Sequence, residues 1–345
     1  MKTQLRIRWL FVILALLSML VFTASGCQPT ATATPEHEHE GEHEYHVDEM
    51  PPLSPVSLGE GEKLQVVATT SIVADVVQNV GGDLIDLTVL MPPGTDPHTF
   101  EPTPQDVVAV ANAHVVFVNG AGLEVFLEPL LESAGVRKAR VVPVSYGVEL
   151  RESEGEHEET GAPESGHEHG GFDPHTWFDP HNVMVWVHNI EQALSALDPA
   201  NARAYAANAD AYQARLRDLD VWIREQVAQV PEANRKLVTD HTAFTYLAHR
   251  YGFEQAGAVV PGYSTLAAPS AQELAALEGI IRAFGVKAIF VGMTVNPDLA
   301  RRIAQDTGIL LVFLYTGSLS EPGGPAGDYL SLMRYDVSAI VDALK

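Results

Sequence analysis

The sequence predicts an α/β protein of two lobes, each a parallel four-stranded sheet covered by helices, joined by one long rigid helix. Three observations carry this. Short apolar runs alternate with segments of helical spacing over 64–145, and again over 236–345. Such alternation gives parallel sheets with helices on their faces. Between the two runs lies a helical stripe of Tyr205, Tyr212, Leu216, Leu219, Ile223 and Val227, opened by Asp198-Pro199 and stopped by Pro231. At about 1.5 Å per residue that helix is roughly 45 Å long, enough to span both lobes.

In the first lobe, LQVVATT (64–70) reads as a strand and SIVADVVQNV (71–80) as a helix closed by Gly81-Gly82. LIDLTVL (84–90) is the next strand and runs into MPPGTDPHTFEPTP (91–104). Thr103-Pro104 caps and opens a helix to about Ala111. HVVFVNG (114–120) is a buried strand, 123–135 a helix and ARVVPVS (139–145) a strand. After the loop 146–172, Asp179-Pro180 opens a helix to Leu197. The second lobe repeats the pattern: strands at 236–241, 254–260, 286–292 and 309–315, with a Ser270–Glu273 capping box among its helix starts.

The N-terminus is of another kind. Lys2, Arg6 and Arg8 precede an apolar run from Trp9 to Phe22, then Ala24, Ser25 and Gly26, the order of a secretory signal. Cys27, the one cysteine, follows directly and is the expected lipidation site of an exported lipoprotein. The chain divides into a signal (1–26), a lipid-anchored disordered His/Glu-rich tether (27–62), an N-terminal lobe (63–180), linking helices (181–231) and a C-terminal lobe (232–345). The net charge of −24 excludes nucleic acid as a natural partner and favours cations.

Histidines mark where a cation would go. His37, His39, His43 and His46 alternate with glutamates in the tether, and His157, His167 and His169 fall in the acidic loop. Both tracts suit weak, exchangeable metal capture. Deleting the loop tract is expected to spare the tight site. His98, His175 and His241 are different, since each follows a strand and the carboxyl ends of strands are where open sheets bind ligands. That placement makes them candidates for one metal site in the cleft between lobes. His114, His181, His188 and His249 receive no metal role, and Trp177 and Phe178 are read as core and cleft wall.

At GTDPHTFEPTP, DPHTWFDP and TDHTAFTYLAHRYGF the chain resembles the zinc/manganese solute-binding lipoproteins of bacterial ABC importers, nearest their zinc-uptake branch. The resemblance covers 64–345. It implies a monomeric, non-enzymatic receptor on the outer face of the cytoplasmic membrane that hands a divalent metal to a membrane permease. It implies His98, His175 and His241 as ligands, with the acidic loop as an auxiliary tract. Two departures stand out: Gly317 occupies the usual place of an aspartate ligand, and IFVGMT around Gly292 lacks a frequent glutamate. The fourth position is left to water or a loop residue. Three nitrogens favour zinc over manganese, and an aspartate restored at 317 is expected to shift the site toward manganese. A manganese receptor of the same family, a zinc hydrolase and a surface metal buffer or adhesin are the alternatives. The hydrolase lacks an HExxH and an evident general base, and the buffer leaves the three-motif site unexplained.

Overall fold

A computed structural model describes residues 50–136, 140–152 and 171–345. The signal, Cys27, the tether histidines His37, His39, His43 and His46, and the loop histidines His157, His167 and His169 lie outside the described residues. No described helix is long and apolar enough to cross a membrane.

Each alternation forms one parallel sheet. In the first lobe β1 (Leu64–Ala68), β2 (Ile85–Val89), β3 (Val115–Val118) and β4 (Val141–Pro143) lie in the order β2-β1-β3-β4. In the second, β5 (Lys236–Thr239), β6 (Glu254–Ala258), β7 (Ala288–Gly292) and β8 (Leu310–Leu314) repeat it as β6-β5-β7-β8. Every strand pair is parallel. In both sheets the order reverses beside the first strand, which opens a crevice at the carboxyl ends of the strands.

The strands read as unbroken apolar runs because both faces are covered. Val115 and Phe117 face a core common to both lobes, while Val116 and Val118 face α2 (Pro104–Asn112) and α3 (Leu127–Ala134). In the second lobe Phe290 faces the common core, and Ile289 and Val291 face α7 (Ala271–Phe284) and α8 (Asp298–Thr307).

Caps fix most helix starts. Thr70 Oγ1 accepts from Val73 N at 3.1 Å, so β1 ends at Ala68 and α1 (Ser71–Gly81) begins at once. The Ser270–Glu273 capping box forms as the sequence indicates, and Thr103 adds a second with Asp106. Two starts move. α3 opens at Leu127 instead of 123, because Glu124 turns inward to accept from Asn119 N at 2.6 Å and Thr69 Oγ1 at 2.7 Å. The long helix α5 is Ala202–Val227, 26 residues and about 39 Å. It starts late because Asp198, just after α4 (Pro180–Leu197), is buried and accepts from Asn201 Nδ2 at 2.6 Å and Tyr205 OH at 3.0 Å.

The stripe on α5 packs against α1 and α4 on one side and against α6 (Thr245–Tyr251) and α9 (Tyr329–Leu344) on the other. The described residues fall in one compact unit, and a single core runs from Leu64 to Leu344 through both lobes. The expected tether is shorter than 27–62. Met50, Leu53, Val56 and Leu58 pack on this core, and Val56 N donates to Leu197 O at 2.8 Å. Apolar side chains among those prolines had a surface to cover, and covering it fixes the chain.

Asp75 on α1 sits where α1, α5 and α9 meet, accepting from Tyr329 N at 3.1 Å and Tyr212 OH at 3.3 Å. Burial pushes its carboxyl up to about 6, with Asp328 adding and Arg215 opposing. A carboxyl raised in the fold above its ordinary 3.8 favours folding when protonated, and that stability is lost as pH rises through 6. Asp75→Asn keeps the shape without the charge. The variant should be more stable than the parent at pH 8 by on the order of 2 kcal/mol, with the difference vanishing near pH 4. Denaturant titrations of both proteins at the two pH values check this.

Candidate metal centre

One local device is used three times. Asp96-Pro97-His98, Asp173-Pro174-His175 and Asp240-His241 each place an aspartate one or two residues before a histidine. In each, the aspartate Oδ1 accepts from the histidine backbone N, at 3.0, 2.9 and 2.7 Å. His98 lies in the loop after β2, His175 follows β4 at the far end of the loop 146–172, and His241 follows β5. The base of that loop is pinned by an antiparallel bridge between Glu152 and Phe172.

The three imidazoles meet in the crevice, with one ring nitrogen of each lying within 4.8 Å of the others. His175 Nε2 is 3.2 Å from His98 Nε2 and 3.1 Å from His241 Nε2. A tetrahedral zinc with Zn–N bonds of about 2.0–2.1 Å needs nitrogens about 3.3 Å apart. His175 and His241 are almost fully buried, at 1% and 2% exposed, and His98 is half-buried.

Behind two of the rings stand carboxylates that sequence reasoning missed. His175 Nδ1 lies 2.7 Å from Asp173 Oδ1 and His241 Nδ1 lies 2.8 Å from Asp240 Oδ1. Each aspartate is itself fixed: Asp173 Oδ2 accepts from the Thr245 hydroxyl, and Asp240 Oδ2 from Gly292 N at 2.7 Å. With Nδ1–H given to a carboxylate, each ring in its neutral form presents a bare Nε2 lone pair to the crevice. Two such lone pairs at 3.1 Å repel unless a proton or a cation lies between them. The signal was in the sequence, as an acidic residue just before every candidate ligand, but it had no partner there to give it meaning.

Protonation follows this geometry. Burial holds His175 well below the ordinary histidine range, and the neighbouring His241 lowers it further. Burial would lower His241 too, but the adjacent, hydrogen-bonded Asp240, with Asp96 and Asp173 beyond, outweighs it and shifts the ring up. Asp240 is correspondingly held low, because His241 beside it overcomes the effect of burial. Burial pushes Asp173 up to about 7 against its hydrogen bonds from Thr245 and His175. His241 is therefore the ring that holds a proton when no cation competes for it.

The wall is as expected. Trp177 stands edge-on to His175 with centroids 5.1 Å apart and donates from Nε1 to Thr316 O at 3.1 Å, and Phe178 is buried. His114 has a structural task, since its Nδ1 accepts from Gln65 N at 2.9 Å. His181 and His249 line an open cavity with Asp179 and Arg250, and none of the three converging rings lines it.

The two glycine departures are filled by close neighbours. A Cβ at Gly317 would lie 2.7 Å from Pro97 Cδ, and one at Gly292 would press on Thr316 Oγ1 and sit 3.1 Å from Asp240 Oδ2. This adds a steric condition to the expectation for an aspartate at 317. Gly317→Asp must first displace Pro97, the neighbour of His98, so it disturbs a candidate ligand before it adds an oxygen.

Comparison with known proteins agrees with this arrangement. The sequence pattern of the family described as zinc-uptake complex component A, periplasmic, matches residues 66–343. The manganese-binding lipoprotein MntA of Halalkalibacterium halodurans is 33% identical over 287 residues, 83% of this chain and 90% of that protein. The Mn-bound periplasmic metal binding protein of Candidatus Liberibacter asiaticus superposes with a TM-score of 0.71 at 29% identity, covering 82% of this chain and 100% of that one. The periplasmic zinc binding protein TroA of Treponema pallidum gives 0.71 at 28%, covering 82% and 99%. With two parallel four-stranded lobes and three imidazoles at the crevice between them, this chain belongs to the zinc-uptake complex component A family.

Proposed function

We propose that this member of a family of metal-binding ABC substrate receptors captures zinc in preference to manganese and delivers it to a membrane permease. His98, His175 and His241 hold the ion, and a water or loop residue takes the fourth position. The convergence of imidazole Nε2 atoms at 3.1 and 3.2 Å, with Nδ1 of two rings committed to carboxylates, is the observation that carries this reading. Neutral nitrogen donors suit zinc, whereas manganese prefers oxygen. Carriage without catalysis fits the same contacts, because Asp173 and Asp240 hold imidazoles and are not free to act as a base. The manganese named for MntA and for the Liberibacter protein favours the second reading, a manganese receptor on the same fold.

The chain purified from its native compartment should carry one tightly held zinc. Equilibrium competition should favour zinc over manganese by about 100-fold or more, and His175→Ala should lose the ion. Manganese retained against equimolar zinc would establish the second reading instead.

Binding must displace the proton from His241, whose pKa lies above the ordinary histidine value of 6.5. Zinc affinity should accordingly fall as pH drops through that raised pKa, approaching about tenfold per unit, and level off well above it. Competition against a chelating dye from pH 8.5 to 5.5 tests this, and a flat profile counts against it.

Export and lipid anchorage at Cys27 complete the reading, with the histidines of the tether and of the acidic loop as weak collectors. Cys27→Ala should move the protein from the membrane fraction to the soluble one. Retention of the variant on membranes, with no lipid found by mass spectrometry on the native N-terminus, rules the anchor out.

A further inference from the structure

The segment 259–270 joins β6 to α7 within the second lobe and reaches across to the first lobe at Thr265. At one point Gly262 O accepts from Thr242 N at 2.9 Å, next to His241. At another, Thr265 Oγ1 donates to Asp96 Oδ2 at 2.8 Å, while Asp96 Oδ1 holds the backbone N of His98 at 3.0 Å. One stretch of chain is thus tied beside two of the three imidazoles, which come from opposite lobes. Ser264 Oγ accepts from Leu266 N at 3.2 Å and turns the chain at the crossing.

Beyond Val259, which is buried in the second lobe, apolar burial does not hold this segment down. Leu266 is 61% exposed, and Ala267 and Ala268 are exposed beside it. The polar contact to Asp96 therefore matters, and a hydroxyl donating to a carboxylate is of the stronger, charge-assisted kind. Since His98 is half-buried and its two partners are at 1% and 2%, the ion's way out to water passes on the His98 side, where the segment crosses.

We propose that Thr265 is a positioning residue for metal retention: through Asp96 it keeps His98 over the ion and slows the ion's escape. The proposal rests on the three-histidine reading of the site. Thr265→Val keeps the shape and removes the hydroxyl, whereas Thr265→Ser keeps the hydroxyl. Stopped-flow transfer of zinc to excess chelator reads the dissociation rate of each. Dissociation should be about tenfold faster in Thr265→Val, the worth of one hydrogen bond to a charged group, and within about twofold of wild type in Thr265→Ser. The association rate and the melting temperature of the metal-free protein should not change. Equal dissociation rates in all three proteins overturn the proposal, as does a serine variant as fast as the valine one. So does faster loss matched by a fall in the metal-free melting temperature, which marks a merely structural bond. Failure of the site itself looks different: the wild type would then bind no stoichiometric zinc, and the proposal would fall with it.

Discussion

The site depends on where Asp173 and Asp240 hold two imidazole protons. By taking Nδ1–H on the protein side, they leave Nε2 as the atom that each ring turns to the crevice. The lobes then bring those atoms together. Asp173 belongs to the chain leaving the first lobe, yet it is fastened to the second. Its side chain accepts from Thr245 and its carbonyl from Tyr246 OH at 2.9 Å, both on α6. His175 is thus an imidazole of one lobe aimed by side chains of the other, and the cleft and the three-histidine cluster cannot be assembled separately.

The same carboxylates alter the electrostatics of the site. An all-nitrogen donor set alone would leave a divalent ion's charge of +2 uncompensated. Asp240, held low beside His241, supplies negative charge one imidazole away, and Asp173 can do the same once a cation replaces the proton. On the proposed three-histidine ligand set, discrimination between metals would then rest on the identity of the donor atoms rather than on the total charge around the ion.

Much of this was legible in the sequence because it is periodic or local. Runs such as VVFV and AIFVG declare strands buried on both faces, and Ser270 with Glu273 declares a helix start within four residues. The three histidines could be named because each follows a strand. Features set by distant partners were not legible. Asp198 opens a helix on paper, but Tyr205 and Asn201 capture its carboxylate. Met50 to Leu58 resemble a spacer until the core they cover is known. Gly317 reads as a vacant ligand position, and only the fold shows that Pro97 already fills the space.

The common core has a consequence for how an empty receptor can differ from a full one. Tyr205, Tyr212, Leu216 and Ile223 of α5 are fully or almost fully buried in the same cluster as Phe117 of the first sheet and Phe290 of the second. Swinging the lobes apart like jaws would wet that cluster at roughly 25 cal/mol for each Å² of apolar surface, a penalty that one ion's departure does not repay. Rearrangements confined to the surface around the half-buried His98 would leave that cluster dry. A protein that receives the ion has to recognise a change in local relief, not a change in overall shape.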